Sequence, residues 1–363
     1  MDRSPVIMEK NEKMRMEQLQ FLRFLAFFCV YVAHAEVWLF FPFPSVNCST
    51  SAVGFFFILS GFLAGYSAEG KEIRFGLKAY AGNIWKRVCR LYPLYFITMM
   101  IPVIYSDELV KLATMEFDGD VIQLLKNLLM IQSWFTEGSM TINSVGWYVS
   151  TLLFLSLFTL PTIWLLQKCN RYPRRGLLFA GMAAGVFFLT AVYCYLTKTW
   201  DLGYWHYVFP PARLGEHIGG IALGYSFSVL RPKLQIKNSA KWLFTVLEIG
   251  ALLFSFVSMY HFGSPWRVHI LNWLIPNCVL IGVFALGEGW VSRLFRARPL
   301  IRLGDISYEL FLVHNIIVIG MARSNPELAD TQMGKIGGFI FGFLLSLVIS
   351  LYLSKERKNR KKQ

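Results

Sequence analysis

Apolar stretches of about 20 residues recur along the whole chain, and they limit its possible folds more than any other feature. As a helix, each stretch is long enough to cross the roughly 30 Å hydrocarbon core of a bilayer. Only 16% of the residues are charged, against about 25% in a soluble domain. The pattern predicts an all-α integral membrane protein with about ten transmembrane helices in a single bundle. The predicted spans are 18–40, 50–67, 91–105, 145–166, 177–196, 208–229, 242–260, 269–287, 304–322 and 336–353.

The segments between and beyond these spans are short, and they predict one membrane domain with no soluble domain attached. We divide the chain into an N-terminal segment, 1–17, a membrane domain, 18–354, and a basic tail, 355–363. Residues 121–135 are amphipathic and predict a helix lying at the membrane interface. The N-terminus is polar, so no cleavable signal peptide is expected. No internal repeat is visible, which disfavours transporter folds built from repeated halves.

The basic residues predict the orientation of the bundle. With the N-terminus inside, 28 of the 36 Lys and Arg residues fall in cytoplasmic segments and six in outer segments. This asymmetry follows the positive-inside rule and predicts that both termini are cytoplasmic. It also explains the net charge of +14 through topology and contact with anionic lipid, so nucleic-acid binding is not needed.

Two basic residues, Arg23 and Arg213, lie inside predicted spans, where a charge is costly and usually faces the bundle interior. Arg23 shares its helix with His34, eleven residues further on. At 100° per residue the two side chains lie about 20° apart around the axis and about 16 Å apart along it. They are expected to line one groove, with Arg23 near the cytoplasmic side and His34 in the outer third. The alternatives are a structural ion pair or snorkelling for Arg23, and a packing role for His34.

Residues 54–66, in the second predicted span, contain three glycines and a single serine, Ser60. Gly54, Gly61 and Gly65 allow another helix to approach closely, and the last two have small-xxx-small spacing. Ser60 is expected near the middle of the membrane. Simple helix packing explains this segment as well as a functional role does.

Three basic residues, Lys86, Arg87 and Arg90, precede Pro93 at the cytoplasmic mouth of the third span. Arginine suits phosphate because its planar donors bind two oxygens at once. The alternative is ordinary positive-inside charge, which would suffice if the motif stood alone.

Two more polar motifs lie in later spans. Arg213 and Glu216 form an i,i+3 pair after a Pro-Pro helix start, at roughly the depth of His34. An acid near a histidine fixes its tautomer and raises its basicity. The segment 303–314 places Ser307 and Tyr308 at the cytoplasmic edge and His314 near mid-depth. A structural role for His314 is at least as plausible as a catalytic one.

Taken in order, these motifs resemble the acyltransferase 3 family, integral-membrane enzymes that O-acylate surface polysaccharides and related glycans. The resemblance covers nearly the whole chain. It implies a cytoplasmic acyl-CoA donor, His34 as catalytic base, Arg23 in the same site, and Arg87 and Arg90 near the donor. It also implies a multi-pass protein of a bacterial cytoplasmic membrane. The motifs are Arg23 with His34, GFFFILSGF at 54–62, RVCRLYP at 87–93, Trp147, RLGEHIGG at 213–220 and LGDISYELFLVH at 303–314.

One departure from the family pattern affects the assignment of an acid. Many members carry a glutamate five residues after the tryptophan that matches Trp147, whereas this chain has Leu152. Glu216 is therefore the acid expected to hold His34 or Arg213 in place.

The sequence thus predicts an acyltransferase, of O-acetyltransferase type, that uses acyl-CoA and a sugar hydroxyl of a surface polysaccharide or its lipid-linked precursor. No permanently bound cofactor and no metal are expected, because the histidines show no ligand spacing. Ser60 or His314 is a candidate relay if the acyl group passes through an enzyme-bound intermediate, and direct transfer remains the alternative. A proton-coupled transporter or glycan flippase, which would need no CoA thioester, and a non-enzymatic export subunit are the competing functions.

Overall fold

The computed structural model describes residues 16–39, 44–73, 75–104, 119–201, 203–234, 240–261 and 272–360. All regular structure within these ranges is helical, as the sequence predicts. Most of the N-terminal segment 1–17 and the end of the basic tail lie outside the described residues. The α-helices are α1 (Gln18–His34), α2 (Ser45–Ala68), α3 (Leu77–Ile104), α4 (Gly119–Leu128), α5 (Gly146–Lys168), α6 (Arg175–Leu196), α7 (Leu214–Leu230), α8 (Lys241–His261), α9 (Ile275–Leu286), α10 (Trp290–Phe295), α11 (Arg298–Asp305), α12 (Ser307–Ser324) and α13 (Gln332–Arg360).

The lengths of these helices limit how many of them cross a membrane alone. Each of the ten predicted spans contains a helix, but six described helices are long and apolar enough to span by themselves, namely α2, α3, α5, α6, α8 and α13. Helices α11 and α12 meet at 62° and make a seventh span if they count as one. Helix α1 has 17 residues and α9 has 12, so they rise about 26 Å and about 18 Å against a core of about 30 Å. Ten spans and two cytoplasmic termini therefore stay predictions.

The closest helix contact joins α2 to α7 through glycines. A Cβ atom on Gly61 would collide with the carbonyl oxygen of His217, and one on Gly65 with that of Ile221. The partner helix shows the same feature, since Gly220 and Gly224 lie against backbone carbonyls of α2. The close approach predicted from small-xxx-small spacing is therefore present, and it brings the polar residues of α7 against Ser60.

The predicted interface helix, 121–135, is shorter than expected. Helix α4 ends at Leu128, and the chain then turns through Met130, whose φ of 56° lies in the left-handed region. A left-handed residue ends an α-helix because it breaks the repeating dihedral angles. The chain from 129 to 145 instead forms turns and a short 3-10 helix, Gln132–Trp134, which buries Gln132 and Ser133 inside the protein. This folded-back connection delivers Asn143 to the site described next.

Candidate functional site

Helix α1 carries the two residues that the sequence singles out first. Arg23 and His34 are both partly buried, and His34 is the last residue of the helix. Their shared face points into the bundle, towards α3, α5 and α12, where each meets a different set of partners. Arg23 donates a hydrogen bond to Gln20 Oε1 at 3.0 Å.

The imidazole of His34 meets the imidazole of His314. Nδ1 of His34 and Nε2 of His314 are 3.0 Å apart, and the rings stack with centroids 5.0 Å apart. Nδ1 of His314 lies 3.0 Å from the carbonyl oxygen of Leu310, one turn earlier in α12. His314 is completely buried, whereas His34 is partly exposed. The partner of His34 is thus a histidine, and of the two partners predicted for Glu216, His34 or Arg213, the structure shows Arg213.

A pair of asparagines lies beside the histidine pair. Asn315 Nδ2 donates to Asn143 Oδ1 at 3.2 Å, and Asn143 Nδ2 donates to the carbonyl oxygen of Leu312 at 3.2 Å. Both side chains are buried. These bonds fix the connection before α5 to the helix that carries His314, and no pattern in the sequence indicates that the two segments meet.

A cluster of arginines lies at the other end of the α1 face. Arg23 interacts electrostatically with Arg90 and with the carboxylate of Glu309, and Arg87 interacts with Arg90. Arg87 is partly buried, whereas Lys86 and Arg90 are exposed. Like charges on α1 and α3 thus repel each other, and a bound anion or a shared acid would relieve this repulsion.

Tyr148 links the arginine cluster to the histidine pair, and sequence analysis missed it. Its hydroxyl interacts electrostatically with Arg23, Arg87 and Arg213. Its ring packs against Phe311 at 4.7 Å, and Phe311 in turn lies 6.1 Å from the His314 ring. The adjacent Trp147 is buried, and its ring centroid lies 4.7 Å from that of Tyr207. Trp147 is therefore a packing residue of the core. A tyrosine next to a tryptophan at a helix start carries no periodic signal that could have identified it.

Arg213 and Glu216 form the ion pair that their spacing predicts. Nη2 of Arg213 lies 2.9 Å from Oε2 of Glu216, and both side chains are fully buried. Arg213 also donates to the carbonyl oxygen of His206 at 3.1 Å. Its guanidinium lies over the rings of Phe57 at 5.0 Å and Trp273 at 5.2 Å. Paired and enclosed in this way, the two charges hold the core together and do not face an open cavity.

Ser60 contacts a histidine that sequence analysis did not single out. Its Oγ lies 3.0 Å from Nδ1 of His217, and Nε2 of the same ring lies 2.9 Å from Oγ1 of Thr159. The Ser60 hydroxyl also bonds to the carbonyl oxygen of Phe57 at 2.9 Å. Both ring nitrogens of His217 are therefore occupied by polar partners on α2 and α5, as in a packed core histidine.

The start of α12 ties that helix to its neighbours. Tyr308 donates to the carbonyl oxygen of Leu91 in α3 at 2.8 Å, and Arg357 of α13 pairs with Glu309 at 2.7 Å. Ser307 is buried beside them. Within the described ranges, no three His, Cys, Asp or Glu side chains lie together as a metal ion would require.

A helical bundle with long apolar helices, a histidine pair and an arginine cluster defines an integral-membrane protein with titratable groups in its interior. The chain belongs to the acyltransferase 3 family, because the family's sequence model, described as an acyltransferase domain, matches residues 16–355. It is similar to acyltransferase MdmB of Streptomyces mycarofaciens, with 25% identity over 351 residues that cover 88% of this chain and 82% of that protein. No solved structure matches the chain significantly. The family and this relative identify the chain as a membrane acyltransferase.

Proposed function

We propose that the protein transfers an acyl group, in the first place acetyl, from acyl-CoA to a sugar hydroxyl of a surface polysaccharide or its lipid-linked precursor. The observation that carries the proposal is the single face of α1, which presents an accessible imidazole at one end and an arginine cluster at the other. A donor with anionic phosphates and a thioester has its charge and its reacting carbon at opposite ends of a long arm. Such a donor matches the two ends of this face.

The arginine cluster supplies the donor end of the site. Arg87 and Arg90, with Lys86 beside them, are the residues that we assign to the CoA phosphates. Arginine binds phosphate through two parallel donors, and a bound phosphate would relieve the repulsion between Arg23 and Arg90. The pantetheine arm then runs past Tyr148 towards His34. A donor that enters at this end comes from the cytoplasm if the predicted orientation is correct.

His34 supplies the reacting end of the site. The acceptor hydroxyl gives its proton to His34, and its oxygen forms a bond to the thioester carbonyl carbon. The carbon–sulfur bond then breaks, and the leaving thiolate takes the proton from the imidazolium. The products are the sugar ester and free CoA thiol, so no electrons or further reactants are required.

Arg23 is the cation that we assign to the developing negative charge, with Arg213 in a supporting role. A fixed cation is most effective at low dielectric. Arg213 is fully buried and paired with Glu216, so its charge is already compensated. Arg23 is partly buried and donates a hydrogen bond to a neutral glutamine. Glu216 accordingly holds Arg213, and Ser307 and Tyr308 hold α12 in position.

The test is the ester content of surface glycans in cells that make wild-type protein or His34→Ala at matched membrane levels. Purified polysaccharide is analysed by NMR for O-acyl signals. We expect the signals with wild type and their loss with His34→Ala, while His261→Ala, at an exposed histidine, leaves them unchanged. A His34→Ala protein that acylates as well as wild type would refute the role of His34. Wild-type cells without any added ester would refute the glycan acceptor.

A further inference from the structure

His34 and His314 form a chain of hydrogen bonds whose proton positions follow from the acceptor at its end. The chain runs from Nδ1 of His34 to Nε2 of His314, and from Nδ1 of His314 to the carbonyl oxygen of Leu310, at 3.0 Å each. A carbonyl oxygen can only accept. Nδ1 of His314 must therefore carry a proton and donate it to Leu310.

The surroundings of His314 keep its ring neutral. It is completely buried and packs against Phe27 at 5.4 Å, Tyr31 at 6.1 Å and Phe311 at 6.1 Å. Within the described part of the chain, the titratable group that acts on it is His34. A charge at this position would lose its hydration without gaining a counter-ion. A neutral ring protonated on Nδ1 has a lone pair on Nε2.

The proton between the two rings must then belong to His34. Nε2 of His314 accepts, so Nδ1 of His34 donates, and the remaining lone pair of His34 is on Nε2. No described residue hydrogen-bonds to His34 Nε2. We propose that His314 is a positioning residue that fixes the tautomer of His34 and leaves Nε2 as the proton-accepting atom of acyl transfer.

This arrangement differs from a carboxylate-supported histidine in one respect. A carboxylate both orients the imidazole and compensates the charge that forms on it. His314 is a neutral acceptor, so it orients the ring and selects the tautomer without adding a negative charge. The catalytic part of this inference rests on the proposed function, whereas the proton positions rest on the hydrogen bonds and on the complete burial of His314.

The proton positions are tested directly by NMR of full-length protein labelled with 15N-histidine in lipid nanodiscs. His34→Gln identifies the His34 resonances. We expect a protonated Nδ1 and an unprotonated Nε2 on His34 in the wild type. His314→Leu removes the acceptor, and the population should move towards the tautomer protonated on Nε2. His314→Gln keeps an oxygen acceptor at the position of Nε2 and should preserve the wild-type tautomer.

The consequence for catalysis is tested with [14C]acetyl-CoA and inverted membrane vesicles that contain the glycan acceptor. General-base catalysis contributes at least about 10²-fold. We therefore expect His314→Leu to lower kcat by about 10²-fold at an unchanged KM for acetyl-CoA. His314→Gln should recover much of this loss, and the same change to leucine at exposed His261 should have no effect.

Two results would overturn the inference. A wild-type His34 protonated on Nε2 would contradict the proton order, and His314→Leu with full kcat would contradict the positioning role. If wild-type vesicles transfer no acetyl group, the proposed function fails, and the NMR result still decides the tautomer independently.

Discussion

Arg23 and His34 lie on one helix face, and the proposed function assigns charge binding to Arg23 and proton transfer to His34. The helical period alone places both side chains on that face, and the structure supplies their partners. Arg23 joins the arginines of α3, whereas His34 meets His314, which lies 280 positions further along the chain. The helical period predicts which face of a helix a residue lies on. It does not predict which distant residue that face contacts.

At the residue scale we predict that Arg87 binds the donor and takes no part in the chemistry. Arg87→Ala should raise the KM for acetyl-CoA by about tenfold or more, because a charge-assisted hydrogen bond contributes about 1.5–3 kcal/mol. Its kcat should stay close to that of wild type, since binding that is equal in ground and transition states does not change kcat. The measurement is initial-rate kinetics in vesicles at varied acetyl-CoA.

Arg171→Ala is the matched control for this prediction. Arg171 is exposed and lines a separate polar pocket with Glu69 and Tyr172. On the predicted topology it also lies on the cytoplasmic side. Equal KM values for the two variants would mean that Arg87 is only one of many positive-inside charges.

The α2–α7 pair is the element that sets the depth of the polar core. Its glycines let the two backbones touch, and this contact places Ser60 beside His217 and Arg213 over Phe57. The glycine spacing in the sequence predicts a packing motif in α2. It does not predict that α7 is the helix that packs against it. Several helices have small residues, and only the folded bundle selects between them.

At the element scale we predict that Gly65→Ala destabilises the protein. The new Cβ would collide with the backbone carbonyl of Ile221, which cannot rotate away as a side chain can. Overpacking of this kind costs about 1–3 kcal/mol, so the midpoint of thermal unfolding in detergent should fall by several degrees.

Gly250→Ala provides the comparison. Gly250 lies inside α8, and a Cβ there would meet no described atom within 4 Å. Alanine is a better helix former than glycine by about 1 kcal/mol, so this variant should be as stable as wild type or more so. Unfolding midpoints that fall equally in both variants would argue against the close contact at Gly65.

The proposed function requires the whole molecule to connect a cytoplasmic donor to an acceptor on the other side of the membrane. The basic residues predict which side is cytoplasmic, and the arginine cluster and the histidine pair lie about 16 Å apart along α1. Helices α1 and α9 are too short to span alone. A site that reaches across the membrane therefore has to be assembled from helices of different lengths.

At this scale we predict the orientation from thiol labelling. In a cysteine-free background, Ser67→Cys, at the end of α2, should react with a membrane-impermeant reagent only after the cells are permeabilised. Asp201→Cys should react in intact cells. Both positions are exposed, so burial does not account for a difference. The opposite pattern would invert the predicted topology and put the arginine cluster outside.

The sequence by itself determined the helical class, the apolar segments, the shared face of Arg23 and His34, and the Arg213–Glu216 pair, because each depends on residues within a few helical turns. Only the tertiary structure decided that His34 contacts His314 and that both members of the Arg213–Glu216 pair are fully buried. It also decided that Tyr148 interacts electrostatically with Arg23, Arg87 and Arg213 and that Ser60 contacts His217. These contacts join residues far apart in sequence, and they form only when packing chooses which helices touch. The proposed proton order in the histidine pair also depends on this packing, because it follows from the hydrogen bond between His314 and the carbonyl oxygen of Leu310 in α12.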